Sequence, residues 1–327
     1  MFTMTTMTRA LRTPDTFCKA SSSRPLVLRG SDRVGVAWAD RRSTPTPTLP
    51  LSTWGGGNLA LVCLACVLAI VSPVMGGDGS AASRPAIYVD HAGLLKLGWQ
   101  LACVGATFRD RSTFDMIDLL HSLDFHHIEL STGQIPAWDD SAAVDALVAK
   151  LKSHHMDIVS LGPVDLPKTE ADARKVFDLG KRLKIKTIVA DPPDDALEML
   201  DKLANEYRIN IAMVNSAGHG DDPDRLLGRL SGRSNRIGVC ADPAGWRKAG
   251  LSPVDCAHKL AGHILEVRLS EFDDSDGAEV LGELKKQGFK GICAVECIGK
   301  TGDDLIDSFT RSVNGLSEIV AELSGAR

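Results

Sequence analysis

No basic stripe runs through this 327-residue chain. Residues 1–57 hold eight of its 37 Lys/Arg and three of its 42 Asp/Glu, leaving 29 basic and 39 acidic side chains for the rest. A mildly acidic body lacks the electrostatic footprint that binds a phosphate backbone, so no nucleic-acid partner is expected. No apolar run reaches the ~18–20 residues that span a bilayer. GxGxxG is absent, although Gly105-Ala106-Thr107-Phe108 follows the first strand-like run, and a dinucleotide site is not expected. Walker A spacing is absent too. Of eight cysteines, Cys18, Cys63 and Cys66 fall in the first 66 residues. The other five, Cys103, Cys240, Cys256, Cys293 and Cys297, are odd in number and contain no CxxC pair. They read as small buried hydrophobes. A Cys293–Cys297 or Cys240–Cys293 bridge after export is the alternative.

What is present begins with a Ser-, Thr-, Pro- and Arg-rich stretch over residues 1–57, expected to be a disordered basic leader. Leu59 to Val71 (LALVCLACVLAIV) is a charge-free apolar run of 13 residues, broken by Ser72-Pro73 and followed by small residues. Residues 58–83 therefore read as a secretory signal peptide, which implies an exported, periplasmic or extracellular, protein. An uncleaved membrane-proximal anchor is the alternative, with membrane contact confined to that segment. The leader is longer than an ordinary n-region, which leaves a later translation start open.

From residue 97 onward, short apolar runs alternate with amphipathic stretches. The strand-like runs are 97–104, 126–130, 156–161, 186–190, 209–214, 236–241, 264–269 and 291–296. Between them lie helical faces: Phe114, Ile117, Leu120 and Leu123; Ala143, Leu147 and Leu151; Leu197, Leu200 and Leu203; and Leu305, Phe309, Val313, Leu316 and Val320. Ser112, Thr169 and Asp303 stand where N-caps belong. Eight strand–helix alternations predict an α/β fold, a single (β/α)8 TIM barrel over residues 90–325, with its active face at the strand C-termini.

Those C-termini are rich in polar groups: Glu129, Asp191, Asn215, Asp242, Arg268 and Glu296. Carboxylates converging on a barrel mouth are costly unless a metal or a cation meets them, and a salt-bridged rim is the plain structural alternative. His219, between Gly218 and Gly220, follows the fifth strand on the active face. His126-His127 and His154-His155 fall on the opposite side and read as surface or capping residues; His91, His121, His258 and His263 show no ligand-like spacing. Lys300, in Gly299-Lys300-Thr301-Gly302, is a candidate contact to an anionic group, because loops after strands seven and eight often bind phosphate in barrels.

Several stretches, taken in order, resemble the xylose-isomerase-like TIM barrels, which include sugar phosphate isomerases and epimerases. They are Leu97-Gly98-Trp99-Gln100-Leu101, Phe125-His126-His127-Ile128-Glu129-Leu130, the run from Arg236 to Trp246 with Ala249-Gly250 and Pro253, Val267-Arg268-Leu269-Ser270-Glu271, and Lys290 to Glu296. The resemblance covers about Leu97 to Leu323. It implies a divalent metal (Mn, Mg, Zn or Co) held by Glu, Asp, His and Glu at the ends of strands five to eight, and proton transfer next to a carbonyl. Asp242 and Glu296 match that pattern as metal ligands. Val214 and Arg268 stand where the other two ligands belong, and Trp246 replaces a histidine of the motif. Valine has no lone pair, and arginine stays protonated and offers none, so the metal site is incomplete.

The expected arrangement has Arg268 in the metal's place, neutralising Asp242 and Glu296. A metal rebuilt with His219 or Glu129 is the alternative. The expected function is a sugar (phosphate) isomerase or epimerase acting on a small-molecule sugar. Glu296, Arg268 and Glu129 form the catalytic set, and Asn215, His219 and Lys300 bind substrate. A non-catalytic carbohydrate-binding barrel competes with it. A DNA endonuclease of the same fold is disfavoured by the acidic charge.

Overall fold

The computed structural model describes residues 86–135, 140–215, 222–270 and 274–325. The chain divides into two units, Met1–Gly76 and Gly77–Arg327, and every described residue belongs to the second. The leader and the apolar segment Leu59–Val71 lie outside the described residues. Among the described residues, no helix is long and apolar enough to cross a membrane.

Eight strands form a closed, all-parallel barrel in sequence order. They are β1 (Gln100–Val104), β2 (His127–Leu130), β3 (Asp157–Val164), β4 (Thr187–Ala190), β5 (Asn210–Val214), β6 (Ile237–Ala241), β7 (Ile264–Ser270) and β8 (Ile292–Glu296). β8 closes on β1 through Gln100↔Ile292 to Cys103↔Val295, so no strand edge is left open. The apolar runs of the sequence sit on these strands to within a few residues. The first run is the exception. Leu97 ends a helix, α1 (His91–Leu97), and Gly98 caps it in the left-handed region at φ 75°, so β1 starts only at Gln100.

The remaining α-helices among the described residues are α2 (Thr113–Ser122), α3 (Ser141–Ser153), α4 (Glu170–Leu183), α5 (Leu197–Tyr207), α6 (Pro223–Leu230), α7 (Pro243–Lys248), α8 (Pro253–Lys259), α9 (Asp274–Lys286) and α10 (Gly302–Ser324). Ser112 and Thr169 cap α2 and α4, accepting hydrogen bonds from the backbone N–H of Asp115 and Asp172. Asp303 is not a cap. Thr301 is the cap residue of α10, and Asp303 sits inside the first turn, where its charge suits the helix dipole. The buried face of α3 runs through Val144, Leu147 and Leu151, with Ala143 only half-buried at its border.

Alternating strand residues serve two cores. Leu101, Cys103, Ile128, Val267, Cys293 and Val295 pack with the helices, among them Phe309 and Leu316 of α10. Ala102, Val104, Ile292 and Ala294 form one separate interior cluster, and Val189, Ala212 and Cys240 another. All five described cysteines are buried thiols outside any disulfide, as the plain reading expected, and neither alternative bridge forms. Burial raises the thiols of Cys103, Cys240 and Cys293.

Candidate functional site at the barrel mouth

The parallel register carries β5, β6, β7 and β8 to one rim. It pairs Val214 with Cys240, Ala241 with Val267, and Ser270 with Glu296. The side chains of Glu129, Glu266 and Arg268 point into the barrel, where small residues such as Ala102 and Ala294 leave them room. Glu129 and Glu266 are both 0% exposed. The Ser160 hydroxyl donates to Glu129 Oε2 at 2.9 Å, and Arg268 Nη2 donates to Glu129 Oε1. Arg268 Nη2 lies 3.9 Å from Glu266 Oε1, and its Nε lies 3.8 Å from Glu296 Oε2.

Arg268 therefore meets carboxylates inside the barrel, but not the partners expected. Its first partner is Glu129, with Glu266 and Glu296 further off. Asp242 makes no ion pair among the described residues, which corrects the expected Arg268–Asp242 pair. The reason is reach: the inward face of β7 aims the guanidinium down into the barrel, toward β2. Burial opposes its charge, yet the negative neighbours, headed by Glu129, outweigh burial and raise its pKa. Burial, reinforced by the charge of Glu129 and only partly offset by Arg268, pushes Glu266 well above the usual carboxylate range. Glu266 thus holds its proton more tightly than an ordinary carboxylic acid, because a low-dielectric interior disfavours a bare carboxylate.

Glu296 sits higher, about one-eighth exposed. Burial raises its pKa, Arg268 pulls it down, and the charges of Glu129 and Asp242 add to the upward push. Asn215 is 1% exposed and holds Asp242 by its backbone: its Nδ2 donates to Asp242 O at 2.9 Å, and Asp242 N donates to its Oδ1 at 2.5 Å. Both ends of the Asn215 amide are engaged, so it positions Asp242. Asp242 Oδ1 itself is buried with no hydrogen-bond partner among the described residues.

A pocket of about 330 Å³ opens here, lined by Pro163, Val164, Asp165, Asp191, Val214, Asn215, Cys240, Asp242 and Arg268. Glu296 is not part of that lining. Asp191 is drawn into an ion pair with Arg229 Nη1 at 2.9 Å. Lys300 donates to Ser308 Oγ of α10 at 2.8 Å. His219 lies outside the described residues. The sequence reading missed Glu266 and Ser160. Glu266 had a signal, since it stands two residues before Arg268 in one strand and must share its face.

The donor set does not fit a divalent metal of the implied kind. Val214 lines the pocket without a lone pair, a guanidinium sits among the carboxylates, and Glu129 is committed to Arg268 and Ser160.

No protein-family model matches the sequence, and no curated protein matches it. Solved structures do resemble it. An uncharacterized protein from Parabacteroides distasonis aligns at TM-score 0.57 and 21% identity, over 68% of this chain and 99% of that one. A D-tagatose 3-epimerase-like protein aligns at 0.54 and 18%, over 68% and 98%. The D-psicose 3-epimerase of Clostridium cellulolyticum H10, solved with D-tagatose, aligns at 0.56 and 11%, over 68% and 99%. This chain has the fold of the xylose-isomerase-like TIM barrels. At such identities the likeness is one of fold.

Proposed function

We propose that the barrel mouth binds a small, uncharged sugar and moves a proton next to its carbonyl without a divalent metal. The observation that carries this reading is the gap between Arg268 Nε and Glu296 Oε2. They stand 3.8 Å apart, and Nε has no hydrogen-bond acceptor among the described residues. A buried donor without an acceptor beside a carboxylate of raised pKa is an arrangement that a ligand oxygen completes. Glu296 would act as general base toward a carbon-bound proton and return it as general acid. Arg268, held in place by Glu129, would stabilise the enediolate charge with no reorganisation. Asp242, clamped by Asn215, would accept from a substrate hydroxyl.

The pocket charge favours a neutral sugar over its phosphate. Asp165, Asp191 and Asp242 line it, and its one lining cation among the described residues, Arg268, already faces Glu129. Export through the segment Leu59–Val71 remains part of the proposal, tested by sequencing the N-terminus of the mature protein.

A panel of free ketoses and aldoses, assayed for isomerisation and epimerisation before and after chelation, tests the reading. Turnover that survives chelation is expected. Turnover that vanishes with chelator and returns with Mn²⁺ or Co²⁺ would sink it. The absence of Glu296 from the pocket lining favours a second reading, a non-catalytic carbohydrate-binding barrel. Sugar-dependent thermal stabilisation with no turnover by any sugar of the panel would favour that one.

A further inference from the structure

We propose that His91, Asp124 and His126 form a binding site for a divalent transition metal of the zinc or cobalt type, at the end of the barrel opposite the mouth. One ligand atom from each lies within 4.8 Å of the other two. His91 Nε2 is 2.8 Å from Asp124 Oδ2, and His126 Nε2 is 3.7 Å from Asp124 Oδ1. The two imidazole rings are 5.1 Å apart between centroids. Ligands bound tetrahedrally at about 2.0–2.1 Å from zinc stand roughly 3.3 Å from one another. The two histidine–carboxylate separations lie either side of that value, the donor atoms all stand within 4.8 Å of one another, and a metal would draw the two exposed rings together.

The backbone fixes all three positions. His91 begins α1, whose Asp90 cap accepts from Gly93 N at 3.0 Å. Asp124 N donates to His121 O at 3.1 Å, and Phe125 N to Leu120 O at 3.0 Å, which turns the chain sharply after α2. Asp157 N donates to His126 O at 2.9 Å, joining that residue to β3. Two imidazoles and a carboxylate are the donor set of many zinc centres, with one position left for water. A cleft of about 310 Å³, lined by His91, Leu95, Trp99, Asp124 and His126 among others, leaves room for that position.

A second histidine–aspartate group on the surface shows the contrast. Asp118 receives Lys150 Nζ at 2.5 Å as well as His154 Nε2 at 2.7 Å, so a cation already occupies it. Among the described residues Asp124 pairs with no lysine or arginine. The bound metal would tie α1 to the entry of β2, and thereby fasten the first helix across the foot of the barrel. Sequence spacing hid the group, because its members stand on separate elements.

The test is Co²⁺ titration of the full chain, purified without a histidine tag and stripped with chelator, followed by visible absorption, with Zn²⁺ as competitor. A single equivalent of Co²⁺ is expected to bind and to be displaced by Zn²⁺. His91→Ala and His126→Ala are each expected to weaken binding by at least about 10-fold, the cost of losing even an outer-sphere partner. Asp242→Asn/Glu296→Gln at the mouth is expected to bind as the parent does. Melting curves of the metal-free variants report folding, and Asp124→Asn carries the same test if a histidine variant misfolds. Unchanged binding in the histidine variants, loss of binding in the mouth variant, or no binding by the parent overturns the site.

Discussion

Arg268 and Glu129, 139 residues apart in the chain, meet inside the barrel, where the guanidinium donates to a carboxylate fully sealed from solvent. Removing the cation strands Glu129 and leaves Glu296 without its nearest positive charge. Arg268→Met is expected to cost about 3–5 kcal/mol of stability, as for other buried pairs broken from one side. Urea denaturation at neutral pH measures it.

Glu266 makes a pH prediction. Its folded-state pKa is raised by burial, so its contribution to stability is fully present below the unfolded value and is lost as pH rises through the folded value. Between the two, stability falls by up to about 1.4 kcal/mol per pH unit for this one proton. Glu266→Gln mimics the neutral acid and is expected to flatten that slope. Denaturation curves collected across a pH series, for both proteins, check it.

Glu296→Gln is expected to leave the melting temperature near the parent's and to lower turnover of an accepted sugar by about 10²–10⁴-fold. In the parent, activity should rise with pH through the raised pKa of Glu296, since the base form is the deprotonated one. An unaltered turnover in the variant would remove Glu296 from the chemistry.

Asn215→Ala leaves the backbone N–H and carbonyl of Asp242 without their side-chain partners. A loss of about 1–3 kcal/mol is expected, together with weaker sugar binding as Asp242 is released. Denaturation and calorimetric titration read the two effects separately.

The buried cysteines give a chemical test. Alkylation of the native protein followed by peptide mapping should leave Cys103, Cys240, Cys256, Cys293 and Cys297 unlabelled, and prior denaturation should expose all five. The expectation follows from their burial and, for Cys103, Cys240 and Cys293, from thiols whose raised pKa keeps them protonated.

The strands were legible because strands buried on both faces read as continuous apolar runs, and Ser112 and Thr169 were legible because capping is a local interaction. α1 was missed because Leu94 and Leu97 continue into Trp99 and Leu101 without a polar break, and only the left-handed turn at Gly98 separates helix from strand. At the site, the strand ends told that Asp191, Asn215, Asp242 and Arg268 line one pocket. They did not tell which acid Arg268 would meet, because that depends on the depth at which each side chain enters the barrel.

The sequence alone determined the eightfold alternation and the failure of Val214 and Arg268 to serve as metal ligands. These follow from side-chain chemistry and local periodicity. Tertiary structure decided the partnership of Arg268 with Glu129, the burial of Glu266 beside them, and the meeting of His91 with Asp124 and His126. Each joins residues from different strands or helices, and only closure of the barrel sets the distances on which charge and coordination depend.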